Sequence, residues 1–120
     1  MDNYKIAVAS SDGIVVNQHF GHADKFLIYE VHNDGSFRFI EIRTVKPVCD
    51  SGNHDDEKLA ENLQKIRDCK YLLVSKIGMG ASLRAEQSGI IPIELPDMIE
   101  DSVRKVISFE QVQNLLKGIE

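Results

Sequence analysis

Lys25-Phe-Leu-Ile-Tyr-Glu-Val-His-Asn-Asp-Gly-Ser-Phe-Arg-Phe-Ile-Glu-Ile-Arg-Thr44 is the stretch that decides the architecture. In residues 25 to 32, Phe26, Ile28 and Glu30 fall on one face and Leu27, Tyr29 and Val31 on the other, the two-residue period of a strand. Asn33-Asp34-Gly35 follows, and Asp-Gly supplies the positive φ angles that tight hairpin turns need. Phe37 to Thr44 reads as the return strand. The first part of the chain is therefore antiparallel.

Upstream, residues 4 to 10 (Tyr-Lys-Ile-Ala-Val-Ala-Ser) read as a buried strand ending in the turn Ser11-Asp12-Gly13. Downstream, the pattern changes after Pro47. Cys49 to His54 is polar and reads as a loop, and Asp55 or Asp56 can cap a helix striped by Leu59, Leu63 and Ile66. Tyr71-Leu-Leu-Val74 is a short strand. Ile77-Gly78-Met79-Gly80 turns into a helix that Gly89 closes. Ile90 to Glu94 is a further strand, and Pro92 within it predicts an edge position. Two capping signatures come last: Asp97 with Glu100 ahead of Ile99, Val103 and Val106, and Ser108 with Gln111 ahead of Val112, Leu115 and Leu116. The order β-β-β-α-β-α-β-α predicts an α/β fold, a five-stranded mixed sheet flanked by helices.

The 120 residues fit a single domain, residues 1–120, with a modest core. A hydrophobic fraction of 42% and a charged fraction of 28% are those of a soluble globular protein. No apolar run approaches the ~20 residues that span a bilayer. Met1-Asp2-Asn3-Tyr4-Lys5 lacks the basic flank and apolar stretch of a signal peptide. The expected location is the cytoplasm, with no membrane partner. A net charge of −5 argues against a nucleic-acid partner, because no basic excess is present to displace phosphate counterions. Arg43, Lys46, Lys76 and Arg84 could still form a local positive patch. Cys49 and Cys69 are too few and too far apart for a CxxC pair or a disulfide framework.

Chemistry concentrates in Val16-Asn-Gln-His-Phe-Gly-His-Ala23, which places His19 and His22 three residues apart in a loop between apolar runs. With Cys49 and His54 they form a candidate ligand set. Imidazole and thiolate together suit zinc, copper or iron and do not suit magnesium or calcium. Equally, surface-loop histidines are common, and no CxxC or HExxH is present. Cys69, beside the strand that begins at Tyr71, is expected to pack as a small apolar residue, and His32 to be a solvated strand end. Gly78-Met79-Gly80 joins a strand to a helix start, where exposed amides favour an anion; ordinary tight-turn geometry explains the same glycines. Asp55-Asp56-Glu57 reads as capping. Catalytic signatures are lacking: there is no GxSxG elbow or Walker lysine pattern, and Asp12 stands alone past the first strand.

These residues resemble a known family. Ile6-Ala-Val-Ala-Ser10 with Gly13, then Val16-Asn17-x-His19-Phe20-Gly21-His22-Ala23, then Phe26-x-Ile28-Tyr29-Glu30-Val31 are similar to the dinitrogenase iron–molybdenum cofactor-binding family. Cys49-x-x-Gly52, Asp55-Asp56, Asp68-Cys69 and Ile77-Gly78 look most like its NifB C-terminal variety, alongside the NifX and NafY type carriers. The resemblance implies a ribonuclease H-like fold and a non-catalytic role, carrying an iron–sulfur-based cluster, the iron–molybdenum cofactor or its precursor among the cargoes, between donor and acceptor proteins. It makes His19 the leading ligand, with His22 and Cys49 in support, and Gly78 amides and Lys76 as complements to an anionic cargo. The chain has no CxxxCxxC, so the cofactor-building chemistry of a radical-SAM domain is not expected of it. Two other readings stay open: a partner-binding module that takes no cluster, and a small enzyme with mononuclear zinc or iron on His19, His22 and Cys49 or His54.

Overall fold

The computed structural model of the protein describes residues 3–48 and 56–119. Strand β1 (Tyr4–Val8) is followed by the hairpin of β2 (Lys25–Val31) and β3 (Phe37–Thr44). Then come α1 (Asp56–Lys65), β4 (Tyr71–Val74), α2 (Met79–Gln87), β5 (Ile91–Glu94) and α3 (Ile99–Ile119). The sheet order is β3-β2-β1-β4-β5, antiparallel from β3 to β1 and parallel from β1 to β5. The α/β class and the mixed five-stranded sheet are as expected, and Pro92 lies on an edge strand.

The alternation of β2 sorts the core into two clusters. Phe26 and Ile28, with Ala7, Leu72 and Val74, pack against Leu59, Leu63 and Ile66 from α1 and its C-terminal turn and against Ala85 of α2. Leu27 and Val31, with Ile6, Val8, Tyr71 and Leu73, pack against Ile99, Val103, Val106 and Ile107 of α3. Gly35 takes φ +85° in the hairpin turn, a conformation costly for other residues. Gly89 takes φ +86° after α2, where its N–H bonds Glu86 and the N–H of Ile90 bonds Ala85. That paired arrangement satisfies the last carbonyls of the helix and buries Ile90 beside Ala85.

Three expectations change. β1 ends at Val8, not residue 10, because Ser10 joins the turn: its hydroxyl bonds Asp12 and accepts the Gly13 N–H. Asp97 takes the N–H of Met98 at 2.8 Å, and α3 begins one residue beyond it. No helix restarts at Ser108. That residue is exposed within the continuous α3, and Val106, Ile107 and Glu110 keep both sides of it against the sheet. The expected Cys49–His54 loop and the Asp55 cap lie outside the described residues.

β1, β3, β4 and β5 all run the same way, so the segments that follow them emerge at one end of the sheet. β3 does not neighbour β1, since β2 lies between them, yet the chain after β3 leaves from that shared end.

Candidate functional site

The loop after β1 is held by three sets of backbone bonds. Asp12 accepts the N–H groups of Ile14 and Val15 at 2.9 and 3.1 Å. These bonds, with that of Ser10, hold its carboxyl below the usual carboxylate range. It forms the turn. Val16 N–H then bonds Asp97, and Ile99 N–H bonds Ile14. Finally the Ser75 N–H bonds Gln18, the Phe20 N–H bonds Lys76 at 2.9 Å, and His19 pairs with Lys76 as an isolated parallel bridge. The loop therefore runs alongside the chain that leaves β4.

Phe20 fixes the side-chain directions. It is buried and stacked on Phe26, with ring centroids 5.9 Å apart. Burying such a ring is worth about 1.5–3 kcal/mol. A single tight turn over Phe20–His22 follows, with the His22 N–H bonding the His19 carbonyl. Phe20 turns into the core, and His19 and His22 turn out, exposed, with ring centroids 5.7 Å apart. Two imidazoles so placed can approach one centre. Among the described residues, no third His, Cys, Asp or Glu joins them to form a metal-binding group. Cys49 and His54 lie outside the described residues.

A cleft of about 590 Å³ adjoins this turn, lined by Phe20, Gly21, Val48, Gly78, Met79 and Arg84 among others. Gly78 caps α2 with extended backbone and no side-chain bond, so its neighbourhood presents main-chain groups to the cleft. Arg84 and Lys76 have no side-chain partner among the described residues. Met79 and Leu83 are exposed apolar side chains of α2, and Met79 lines the cleft. Gln18 Oε1 and Ser75 Oγ, where the loop meets the end of β4, are buried without a hydrogen-bond partner among the described residues. Such atoms are few in native proteins.

The backbone thus pairs His19 with Lys76, and the turn that carries His19 and His22 borders a cleft whose wall includes Gly78, Arg84 and Asp56. Arg43 stands apart from any positive patch, because it donates to Asp68 at 2.6 Å and to Glu41 at 2.9 Å. Cys69 precedes β4, at the opposite end of that strand, and is buried; burial pushes its thiol up to about 12. It packs structurally, as expected. His32 follows β2 at intermediate exposure, 3.5 Å from Glu30.

Asn62 was not singled out in the sequence. Its buried amide donates to the Lys46 carbonyl at 2.6 Å and accepts the Lys46 N–H, fixing the segment that leads toward Cys49. The available signal was a polar residue inside the apolar stripe of α1, next to Leu63.

Over residues 2–108 the chain matches the family model described as dinitrogenase iron-molybdenum cofactor. It is 39% identical to the FeMo cofactor biosynthesis protein NifB of Frankia alni, over 84% of this chain and 20% of that protein. The chain thus spans about a fifth of the length of that relative. It is 29% identical to Protein NifX of Rhodobacter capsulatus, over 95% of this chain and 70% of that one. The crystal structure of MJ0327 from Methanocaldococcus jannaschii shares the fold, with a TM-score of 0.57 at 14% identity over 92% of this chain and 93% of that one.

Proposed function

The chain belongs to the dinitrogenase iron–molybdenum cofactor family, and from that premise we propose that it is a non-catalytic carrier of an iron–sulfur-based cluster. The cargo is the iron–molybdenum cofactor or a precursor of it, received from one protein and released to another. The observation that carries this reading is the pair of exposed imidazoles, 5.7 Å apart, on a loop whose backbone is tied to the end of β4. Iron–sulfur clusters are held chiefly by thiolate and in some cases by imidazole. His19 is the leading ligand, His22 the second, and Cys49 the thiolate that completes the set. Few ligands in an open loop suit a protein that must give up its cargo, where a closed cage would retain it.

The cleft adds electrostatic fit. Main-chain groups around Gly78 and the cation Arg84, which has no side-chain partner among the described residues, complement an anionic cluster. Asp56 is the opposing carboxylate in the same wall, and Lys76 stands beside His19 in the backbone. Exposed Met79 and Leu83 offer apolar surface to a donor or acceptor protein. We assign residues 1–120 to one domain of the ribonuclease H-like class, on the strength of the β3-β2-β1-β4-β5 order with its antiparallel and parallel halves. The carrier works in the cytoplasm, with neither nucleic acid nor membrane as partner. Among the described residues no helix is long and apolar enough to cross a membrane.

The test is anaerobic loading with iron and sulfide, or with isolated cofactor, followed by metal and sulfide analysis and a visible spectrum. Bound cluster that His19→Ala reduces at least tenfold is the expected result. A protein that takes up nothing, or a variant with an unchanged spectrum, would overturn the carrier reading or the ligand assignment respectively.

A further inference from the structure

Of the five arginines in the chain, three are committed. Arg43 donates to Asp68 and Glu41, Arg104 pairs with Glu100 at 2.8 Å, and Arg38 lies 3.7 Å from Glu30. Arg67 and Arg84 have no side-chain partner among the described residues, and both line one cleft of about 330 Å³ between α1 and α2. Helical spacing puts them there. Ala60, Gln64 and Arg67 recur on one side of α1 and the turn after it, and Arg84, Gln87 and Ser88 on one side of α2. Among the described residues no carboxylate lines this cleft, although the chain carries a net charge of −5.

An arginine near the end of a helix is ordinarily explained by the negative pole of the helix dipole. Here other groups fill that role. At the end of α2 the Ser88 N–H bonds the Arg84 and Ala85 carbonyls, and the Gly89 N–H bonds that of Glu86. After α1 the Arg67 N–H bonds Gln64, the Cys69 N–H bonds Ile66, and Arg43 donates to the Lys65 carbonyl at 2.8 Å. The guanidinium groups of Arg67 and Arg84 cap no carbonyl among the described residues. The side chains of Gln64 and Gln87 are likewise without a hydrogen-bond partner among those residues. The walls therefore hold two cations and two carboxamides that do not serve the fold.

We propose that this cleft receives an extended acidic segment of the protein that delivers or takes the cargo, a partner that follows from the carrier function. Guanidinium matches carboxylate in a two-bond fork, and carboxamides offer donors and acceptors to the backbone of an extended chain. From Ala60 to Arg67 the wall runs about 10 Å, the length of about three extended residues. Alternate side chains of such a segment point the same way, so carboxylates at its first and third positions both face the cleft. The net charge of −5 repels an acidic chain from the surface at large, which favours the one groove free of carboxylates. Arg84 also lines the cleft beside the His19–His22 turn. A segment seated between α1 and α2 thus reaches the edge of the cargo site.

Titrating the isotope-labelled, cluster-free chain with the peptide acetyl-Glu-Ala-Glu-Ala-Glu-amide, and following amide NMR signals, tests this. Shifts centred on residues 60–67 and 84–88 are expected. Arg67→Gln and Arg84→Gln should each weaken binding at least fivefold. Arg38→Gln, which removes the same charge from β3, should leave it unchanged. Shifts spread over the surface, equal loss in all three variants, or no binding would overturn the proposal. So would inorganic phosphate binding as tightly as the peptide at matched ionic strength, since the site would then serve a small anion. Arg67 lies outside the cargo cleft, so Arg67→Gln should take up iron and sulfide as the wild type does. Peptide binding by a chain that takes up no cluster would keep the acidic-segment site and overturn its link to cargo.

Discussion

Where β4 begins, Asp68 binds Arg43 and Lys5, and Lys70 and Tyr71 converge on Glu110; just after β4, among the described residues, Lys76 has no side-chain partner and Ser75 buries a hydroxyl without one. At the first end, polar groups serve stability. Hydrogen bonds from Arg43 and Lys5 hold the Asp68 carboxyl well below its usual range. Burial alone would raise Glu110, yet Lys70 and Tyr71 outweigh it and leave the carboxyl below its ordinary value. At the second end, backbone bonds at Phe20 and Ser75 fix the loop, and the side chains of His19, His22, Lys76 and Arg84 have no hydrogen-bond or ion-pair partner among the described residues. The contrast separates groups that hold the fold from groups that the proposed function assigns to a ligand.

The largest effect should come from the committed end. Glu110→Ala strips the acceptor from Lys70 and the buried Tyr71 hydroxyl and should cost about 2–3 kcal/mol in urea denaturation. A loss as small as that of Lys76→Ala, within about 0.5 kcal/mol, would break the comparison.

Asp68→Asn should cost about 1 kcal/mol or less at pH 7, because its carboxylate is about half exposed and screened. The sign of its pH dependence follows from the depressed folded-state pKa. The stabilisation is complete above the unfolded value near 4 and is lost as pH falls through the lower folded value. Thermal midpoints of wild type and variant should therefore differ at neutral pH and converge in acid below about pH 4. Parallel curves across that range would deny the ion pair its role.

Ser75→Ala should leave stability unchanged or raise it by up to about 1 kcal/mol, since it deletes a buried hydroxyl that has no partner. A clear loss would mean that the hydroxyl is satisfied in solution. The smallest expected stability effect is that of His19→Ala, within about 0.5 kcal/mol, set against a large loss of bound cluster. A variant that unfolds would make His19 a structural residue and remove the contrast.

Much of this was legible in local patterns. Alternation in β2 assigned both core faces, Asp34-Gly35 located the hairpin, and Gly89 located the end of α2, because each is set by neighbours within a few residues. The prominence of His19 and His22 was visible for the same reason. What escaped depends on distant partners. Arg43 looked available until Asp68, 25 positions away, was brought against it. The Ser108–Gln111 box matched a helix start, but the packing of α3 keeps the helix continuous there. Asn62, Glu110 and the Gln18–Ser75 contact region acquire meaning only when the sheet assembles. Cys49 and His54 lie outside the described residues and are judged by chemistry alone.

The His19–Lys76 bridge has a kinetic consequence. The Phe20 and Ser75 amides are bonded into the edge of the sheet's end, so their hydrogen exchange should follow the slower openings of the sheet and not the fast fraying of a surface loop. The imidazoles above them need only rotate about their side-chain bonds. Loading and release would then be timed by ligand exchange at the metal, with little ordering entropy to surrender at each transfer.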